Sequence, residues 1–157
     1  MSNSANPSEF AALYKEVYQD MYKFALYTLG HRQDAEDVVS DAVMDGYRGF
    51  SGLRQKESFR PWIFKILSVK CKRKLKEYVH KTAELPQDLF TESTMEQDFQ
   101  VRQAFLRLSE EERLIISMHI FGGYSSRETG RLLKLNDNTV RSKESRALEK
   151  MRGWLES

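Results

Sequence analysis

The sequence contains only one cysteine, Cys71, among its 157 residues. A lone cysteine excludes an intrachain disulfide, and no metal-ligand cluster surrounds it, so the pattern favours a reducing, cytoplasmic setting. The three histidines, His31, His80 and His119, are widely separated, and no glycine-rich loop of the phosphate-binding kind is present. We therefore expect no metal ion, no cofactor and no catalytic site, and an enzyme is the least favoured class.

Long apolar runs are also missing. No stretch approaches the roughly 20 apolar residues that span a bilayer. The first ten residues have neither a positive start nor an apolar run, so we expect neither a secretory signal nor membrane insertion. A hydrophobic content of 40%, with 11% aromatic residues, is nonetheless enough for packed cores. The length then predicts one ordinary domain or two small ones.

Charge is distributed unevenly, although the net charge is only +2. Residues 53–82 carry ten lysines or arginines against two acids, whereas residues 83–101 carry five acids and no base. Residues 125–152 are basic again, with eight bases and four acids. Two basic blocks separated by an acidic one indicate two surfaces that face nucleic acid and a connector that does not.

Three helices are predicted in the first half, because apolar residues recur there at spacings of three and four. Asn6 and Pro7 fit the cap and first position of the first helix, and Gly30 fits its end. The second helix, at about residues 33–50, carries a row of acids away from its apolar stripe: Asp34, Asp37, Asp41 and Asp45. This row is either a solvated surface or a docking strip for a basic partner.

The third predicted helix follows a loop at residues 51–58 and combines aromatic with basic residues. Phe59 and Trp62 lie at its start, and cations crowd its other faces: Lys65, Lys70, Lys72, Arg73, Lys74 and Lys76. Aromatic rings beside a basic helix can stack unpaired bases while the cations hold phosphates. The alternative is that the rings are plain core and the lysines serve solubility.

The second half ends in a pattern typical of a helix-turn-helix. Capping boxes at residues 109–112 and 125–128 mark helix starts, and residues 136–138 supply turn and cap chemistry. Gly130 is a small residue where the two helices must approach closely. The last helix presents side chains suited to duplex DNA: Asn138, Thr139, Arg141, Ser142, Ser145 and Arg146. A generic helical hairpin with solvated arginines is the alternative.

Two stretches resemble the extracytoplasmic-function (ECF) sigma factors of bacterial RNA polymerase. The first is DAEDVVSDAV at residues 34–43, followed by FRPWIFKI at residues 59–66, and it is similar to the family's second region. The other, residues 108–152, is similar to the fourth region and includes Leu108 with Arg113 and the Gly-Tyr-Ser sequence at 123–125. The resemblance implies an all-α fold of two small helical domains, residues 1–82 and 96–157. A flexible acidic linker at 83–95 would join them, and the second domain would end in the helix-turn-helix.

The resemblance also implies partners. Core RNA polymerase would be bound by Asp34, Glu36, Asp37 and Asp41. The melted minus-ten strand of promoter DNA would be held by Phe59, Trp62, Lys65, Lys70, Lys72 and Arg73. The minus-thirty-five element would be read as duplex by Asn138, Thr139, Arg141, Ser142, Ser145 and Arg146. An ordinary helix-turn-helix regulator, which binds duplex DNA without polymerase, is the alternative function.

The linker would thread toward the RNA exit path of the polymerase. An anti-sigma factor would hold the free protein inactive, unless its own fold or the acidic linker does so.

The sequence departs from the family pattern in four places. Lysines and an arginine occupy residues 70–74, where the family often has Asn and Asp, and Gly130 replaces a commoner alanine. Lys134 stands where a turn glycine is common, so it must adopt that backbone or shift it. Glu144 falls on the apolar phase of the last helix, so it must find a partner or point outward.

Overall fold

A computed structural model describes residues 6–80 and 96–156, and no strand occurs in these two ranges. The first half holds α1 (Pro7–Leu29), α2 (Arg32–Gly49) and α3 (Phe59–His80), with 3₁₀ turns at Phe50–Gly52 and Lys56–Ser58. The second half holds α4 (Glu96–Leu106), α5 (Glu110–Ile120), α6 (Ser126–Leu133) and α7 (Asp137–Glu156). The all-α prediction is confirmed. The predicted linker at 83–95 lies outside the described residues, and the exact domain boundaries stay a prediction.

The helix ends follow the capping signals in the sequence. The Asn6 side chain accepts hydrogen bonds from two backbone N–H groups of the first turn of α1, at 3.0 and 3.2 Å. Gly30 ends that helix in the left-handed conformation, with φ of 77°. Both predicted capping boxes, at the starts of α5 and α6, are formed. Because these caps satisfy N–H groups that would otherwise lack partners, they fix where the helices begin.

The first half packs around a group of aromatic rings under the start of α3. Phe10, Phe50 and Phe59 meet edge to face, with ring centroids 5.3 to 6.0 Å apart. The three helices cross closely at Gly46, where a Cβ would lie 2.4 Å from Cδ1 of Ile63. This packing fixes the first turn of α3.

The second half is organised around α5, which lies against α7. Two ion pairs join the two helices, Glu111 with Lys143 at 2.9 Å and Glu112 with Lys150 at 2.8 Å, and the His119 ring contacts the Glu144 carboxylate. Glu144 has therefore found the partner that its position on the apolar side of α7 required. The pairs hold α7 in a fixed position on the core of this half.

The turn between α6 and α7 accounts for two departures from the family pattern. Lys134 adopts the left-handed conformation itself, with φ of 60° and ψ of 44°. A Cβ on Gly130 would lie 2.4 Å from the carbonyl oxygen of Leu135, so the turn itself requires glycine there. The Asn136 side chain accepts a hydrogen bond from the N–H of Asn138 at 2.7 Å and caps the start of α7.

The two halves pack against each other along a seam between α1 and α3 on one side and α5 and α6 on the other, which the sequence pattern did not indicate. One hydrophobic cluster continues through both halves, and the second half contributes Leu106, Leu114, Met118 and Tyr124 to it. Hydrogen bonds across the seam include Arg113 Nε to Thr28 O at 3.0 Å, Arg60 Nη2 to Phe121 O at 2.6 Å, and Tyr124 Oη to Pro61 O at 3.2 Å.

Candidate nucleic-acid interface

The exposed face of α2 carries three of the four acids predicted to bind polymerase, Glu36, Asp37 and Asp41. Met44 lies on the same helix, three residues after Asp41, and is 53% exposed. A flexible apolar side chain beside carboxylates suits a protein partner that offers an apolar contact bordered by lysines or arginines. The sequence pattern missed Met44, because a methionine at helical spacing is more often core than surface.

Asp34, the fourth acid, faces α3. Its carboxylate accepts a hydrogen bond from the Tyr78 hydroxyl and lies 3.9 Å from Nζ of Lys74, and its side chain is 25% exposed. Burial and the Asp34 carboxylate raise the pKa of Tyr78, so the phenol remains a donor. In this conformation Asp34 holds the end of α3 against the start of α2 and is engaged within the protein.

The two aromatic residues predicted to capture bases have different surroundings. Phe59 is 2% exposed and belongs to the aromatic group in the core, so no base can stack on its ring in this conformation. Trp62 is half-buried, with its ring 5.9 Å from that of Phe59, and it lines a groove of about 430 Å³ between α3 and α5–α6. Phe59 therefore supports Trp62 from beneath, and Trp62 is the more accessible of the two.

The basic residues of α3 also divide into two sets. Lys70 Nζ lies 2.7 Å from an oxygen of Asp45, and the hydrogen bond from Lys70 lowers the pKa of that carboxyl. Lys65 and Arg73 are exposed, and Lys72 is half-buried in a groove shared with α5. Of the cations predicted for the minus-ten strand, Lys70 is thus engaged with α2, whereas Lys65 and Arg73 can meet a phosphate directly.

The residues predicted to read duplex DNA lie together on the first half of α7. Arg141, Ser142, Ser145 and Arg146 line a shallow open groove, and helical geometry places the two hydroxyls between the two arginines. Asn138 is exposed at the N-terminal end of this face, and Thr139 is half-buried. A convex basic helix of this kind fits the major groove.

Local contacts hold both arginines along the helix. The Arg141 guanidinium donates to Oδ1 of Asn138 and lies 3.6 Å from an oxygen of Asp137. Arg146 Nε donates to the Ser142 carbonyl oxygen at 3.3 Å. Because these contacts are exposed and individually weak, the arginines can exchange them for DNA at little cost.

Helix α6 adds two exposed cations that sequence reasoning did not assign, Arg127 and Arg131. In a helix-turn-helix the first helix crosses the phosphate backbone while the second enters the groove. In the sequence, Arg127 and Arg131 counted only toward the charge of the basic block at residues 125–152. Their position on the first helix of the helix-turn-helix is the signal that could have identified them as phosphate contacts.

Comparison with protein families accounts for both halves. Residues 13–79 match sigma-70 region 2, and residues 98–151 match sigma-70, region 4. Together the two matches span most of the chain.

The chain belongs to the sigma-70 family.

The relatives of this sigma factor place it in the ECF group. It is 27% identical over 154 residues to the ECF RNA polymerase sigma factor SigM of Mycobacterium tuberculosis, covering 93% of this chain and 78% of SigM. It is 23% identical over 162 residues to the ECF RNA polymerase sigma factor SigX of Bacillus subtilis, covering 94% of this chain and 84% of SigX.

A solved structure shares the fold of this sigma factor: the co-crystal structure of the sigma factor RpoE in complex with the anti-sigma factor NepR from Bartonella quintana. The match has a TM-score of 0.69 at 21% identity and covers 94% of this chain and 97% of RpoE. Across residues 6–80 and 96–156, no helix is long and apolar enough to cross a membrane.

Proposed function

We propose that this sigma factor binds core RNA polymerase and directs it to specific promoters, where it melts the minus-ten element and reads the minus-thirty-five element. The observation that carries the proposal is the presence of both sigma-70 regions in order, one with an exposed acidic face and the other with an exposed basic helix. It would act in the cytoplasm as a transcription initiation factor without catalysis of its own. An ordinary regulator is not favoured, because such a regulator has no use for region 2.

Docking on the polymerase is assigned to the exposed acids of α2, Glu36, Asp37 and Asp41. The test is the double charge reversal Asp37→Lys with Asp41→Lys, measured as affinity for purified core polymerase without DNA. We expect weaker binding, with the largest difference at low salt, because exposed charges chiefly steer and orient association. Helix content should not change, since both side chains are exposed.

The matched control reverses two exposed acids on α7, Glu149→Lys with Glu156→Lys, which changes the net charge by the same amount. Binding by this control should stay close to that of the unaltered protein. Equal losses of polymerase affinity in both double variants would show that the effect comes from net charge alone, and the docking assignment would fail. Run-off transcription by the unaltered protein with core polymerase would still test whether it acts as a sigma factor.

Capture of the melted minus-ten strand is assigned to Trp62, with Lys65 and Arg73 on the phosphates. Stacking on an aromatic ring is worth about 1–3 kcal/mol per base, so Trp62→Ala should reduce promoter opening at least about fivefold, and Trp62→Phe should retain most of it. Permanganate footprinting measures the opening, and thermal melting of each variant checks the fold. Full opening by a stable Trp62→Ala variant would return Trp62 to a packing role.

The structural relative RpoE was crystallised with an anti-sigma factor. We propose that an anti-sigma factor also holds this sigma factor inactive, since two basic surfaces left free would bind DNA without specificity.

A further inference from the structure

The acidic row of α2 and the basic face of α3 are joined by ion pairs. Lys70 Nζ lies 2.7 Å from Oδ2 of Asp45. Lys74 Nζ lies 3.9 Å from Oδ1 of Asp34. The surface proposed to bind polymerase and the surface proposed to hold the melted strand therefore meet along the line of these pairs. A basic partner of α2 and a phosphate at α3 are attracted to opposite members of the same pair.

Asp45 is the paired acid that a partner on α2 can also reach. It follows Met44 directly and lies one turn after Asp41, and its side chain is 45% exposed. Asp34, by contrast, is 25% exposed and faces α3. Oδ1 of Asp45 lies 3.3 Å from Nη1 of Arg48, an exposed pair within α2 that is readily exchanged for another cation. A basic group of a protein bound to the acidic face can thus contact Asp45.

Lys70 is the cation of α3 whose charge Asp45 offsets. Its side chain is 19% exposed, and its hydrogen bond to Asp45 lowers the pKa of that carboxyl, which is ionised at neutral pH. A lysine held against a carboxylate attracts a phosphate less than a free lysine does, because the two charges act in opposite directions. Arg73 is exposed and lies three residues further along the same face of α3. Without Asp45, Lys70 would extend the phosphate-binding face beside Arg73.

We propose that Asp45 links polymerase docking to DNA capture through Lys70. In the free protein Asp45 neutralises Lys70. A basic group of core polymerase draws Asp45 away, and the released Lys70 binds a phosphate of the melted minus-ten strand. The biological consequence rests on the proposed function, whereas the competition for Asp45 rests on the geometry of the pair. Because polymerase and DNA must break the same ion pair, each should favour binding of the other.

The first arm of the test uses the free protein and a fluorescently labelled single strand of thymidines, with anisotropy as the readout. Asp45→Asn should raise the affinity about three- to fivefold at low salt, the factor for one partly exposed ion pair. The double variant Asp45→Asn with Lys70→Gln should show no gain over Lys70→Gln alone, because the gain requires Lys70. Glu16→Gln removes an exposed acid of α1 and is the matched control for net charge.

The second arm uses purified core polymerase without DNA. Lys70→Gln should raise the affinity for polymerase about three- to fivefold, since it frees Asp45, whereas Asp45→Asn should lower it. Lys15→Gln removes an exposed cation of α1 and is the matched control. A merely structural role for the pair predicts the reverse, because a loosened first half would weaken binding of DNA and of polymerase alike.

Unchanged or weaker single-strand binding by Asp45→Asn would overturn the proposal. A gain equal to that of Glu16→Gln, or one that persists without Lys70, would overturn it as well. If the unaltered protein binds core polymerase and Lys70→Gln binds it no more tightly than Lys15→Gln does, the link to docking is wrong. If the first arm gives the expected gains but even the unaltered protein does not bind core polymerase, the proposed function fails and the link to docking fails with it, while the competition between Asp45 and DNA for Lys70 stands.

Discussion

Lys134 holds a backbone conformation that side chains disfavour, with φ of 60° at the end of α6. A non-glycine residue in the left-handed region destabilises the folded state by about 1–2 kcal/mol. A glycine removes this strain, although it raises the conformational entropy of the unfolded chain, which costs less. Lys134→Gly should therefore stabilise the protein by about 1 kcal/mol and raise the melting temperature by about 2–4 °C. Lys134→Ala keeps the strain and should give no such gain in the same thermal melt. Equal melting temperatures for the two variants would mean that the turn stores no strain.

Arg141 and Arg146 flank the hydroxyls on the exposed face of α7, about 140° apart around the helix at about 100° per residue. They cannot both face the floor of the groove, so one should read a base and the other should bind a phosphate. We expect Arg141, nearer the N-terminus of α7, to read the base. Arg141→Ala should cost about 1–3 kcal/mol and relax preference at one position of the minus-thirty-five element.

Arg146→Ala is the paired variant for that experiment. It should weaken binding to all sequences about equally and reduce the salt dependence, as loss of a phosphate contact does. Selection from a promoter library randomised upstream measures both effects. An unchanged base preference in Arg141→Ala would transfer the reading role to another residue of this face.

At the scale of elements, the α5–α7 contact should respond to acid. Burial would raise the pKa of Glu112, but hydrogen bonds from Lys150 and Ser109 outweigh it, and the pKa lies below its ordinary value. A carboxyl with a lowered folded pKa contributes stability above its unfolded pKa and loses that contribution as pH falls through the folded value. Melting temperature should therefore fall on acidification below about pH 4.5, and Glu112→Gln should melt lower at neutral pH and depend less on pH in this acid range.

Glu149→Gln, on the exposed side of α7, serves as the control and should keep the full acid dependence of the unaltered protein. An acid profile for Glu112→Gln that matches the profile of this control would show that the Glu112 pair contributes nothing measurable to stability.

Local signals predicted the elements well, because caps and apolar spacing act within a few residues. Asn6, Gly30 and the two capping boxes start or end helices where expected. Pairing between elements was less visible, since the acidic row of α2 and the basic row of α3 each looked like a free surface. The structure joins Asp34 to Tyr78 and Asp45 to Lys70, so part of each predicted site is used to hold the first half together.

At the scale of the whole molecule, the packing of the two halves against each other predicts how the free protein and the holoenzyme differ on DNA. The reading face of α7 is exposed, so the free sigma factor should be able to bind a duplex with a minus-thirty-five element. We expect this binding to be weak. Adding the minus-ten element should change that affinity less than about twofold. Elements about 25 base pairs apart are separated by roughly 85 Å of duplex, and a compact chain of this length, with a radius of gyration of about 15 Å, cannot span that distance. The holoenzyme should gain about tenfold or more from the same addition. Gel-shift titrations of the two duplexes measure this, and a large gain for the free protein would show that its halves separate without polymerase.

The seam itself could not be predicted from the sequence. Arg60 and Arg113 meet carbonyl oxygens, which every residue carries, so no pattern of side chains marks their partners. In the sequence, Arg60 looks like one more cation of the basic third helix. Arg113 follows Leu108 at the spacing of the fourth-region pattern, so it looks like a residue of the second half alone. The two halves fit together through contacts between residues that are far apart in the sequence. Local periodicity carries no information about such contacts.

The shared hydrophobic cluster also bears on how the protein denatures. Because Leu114, Met118 and Tyr124 pack into the same cluster as the interior of the first half, loss of either half exposes apolar surface of the other. The packed halves should then unfold cooperatively, whereas halves that had separated would behave as two folding units. Cys71 lies at 0% exposure inside the first half, and burial raises the pKa of its thiol, so its reaction with a thiol reagent reports unfolding of that half. Amide exchange in α5 reports unfolding of the second half in the same way. Comparing its rate with the rate of the Cys71 reaction would measure how strongly the unfolding of one sigma region is coupled to the unfolding of the other.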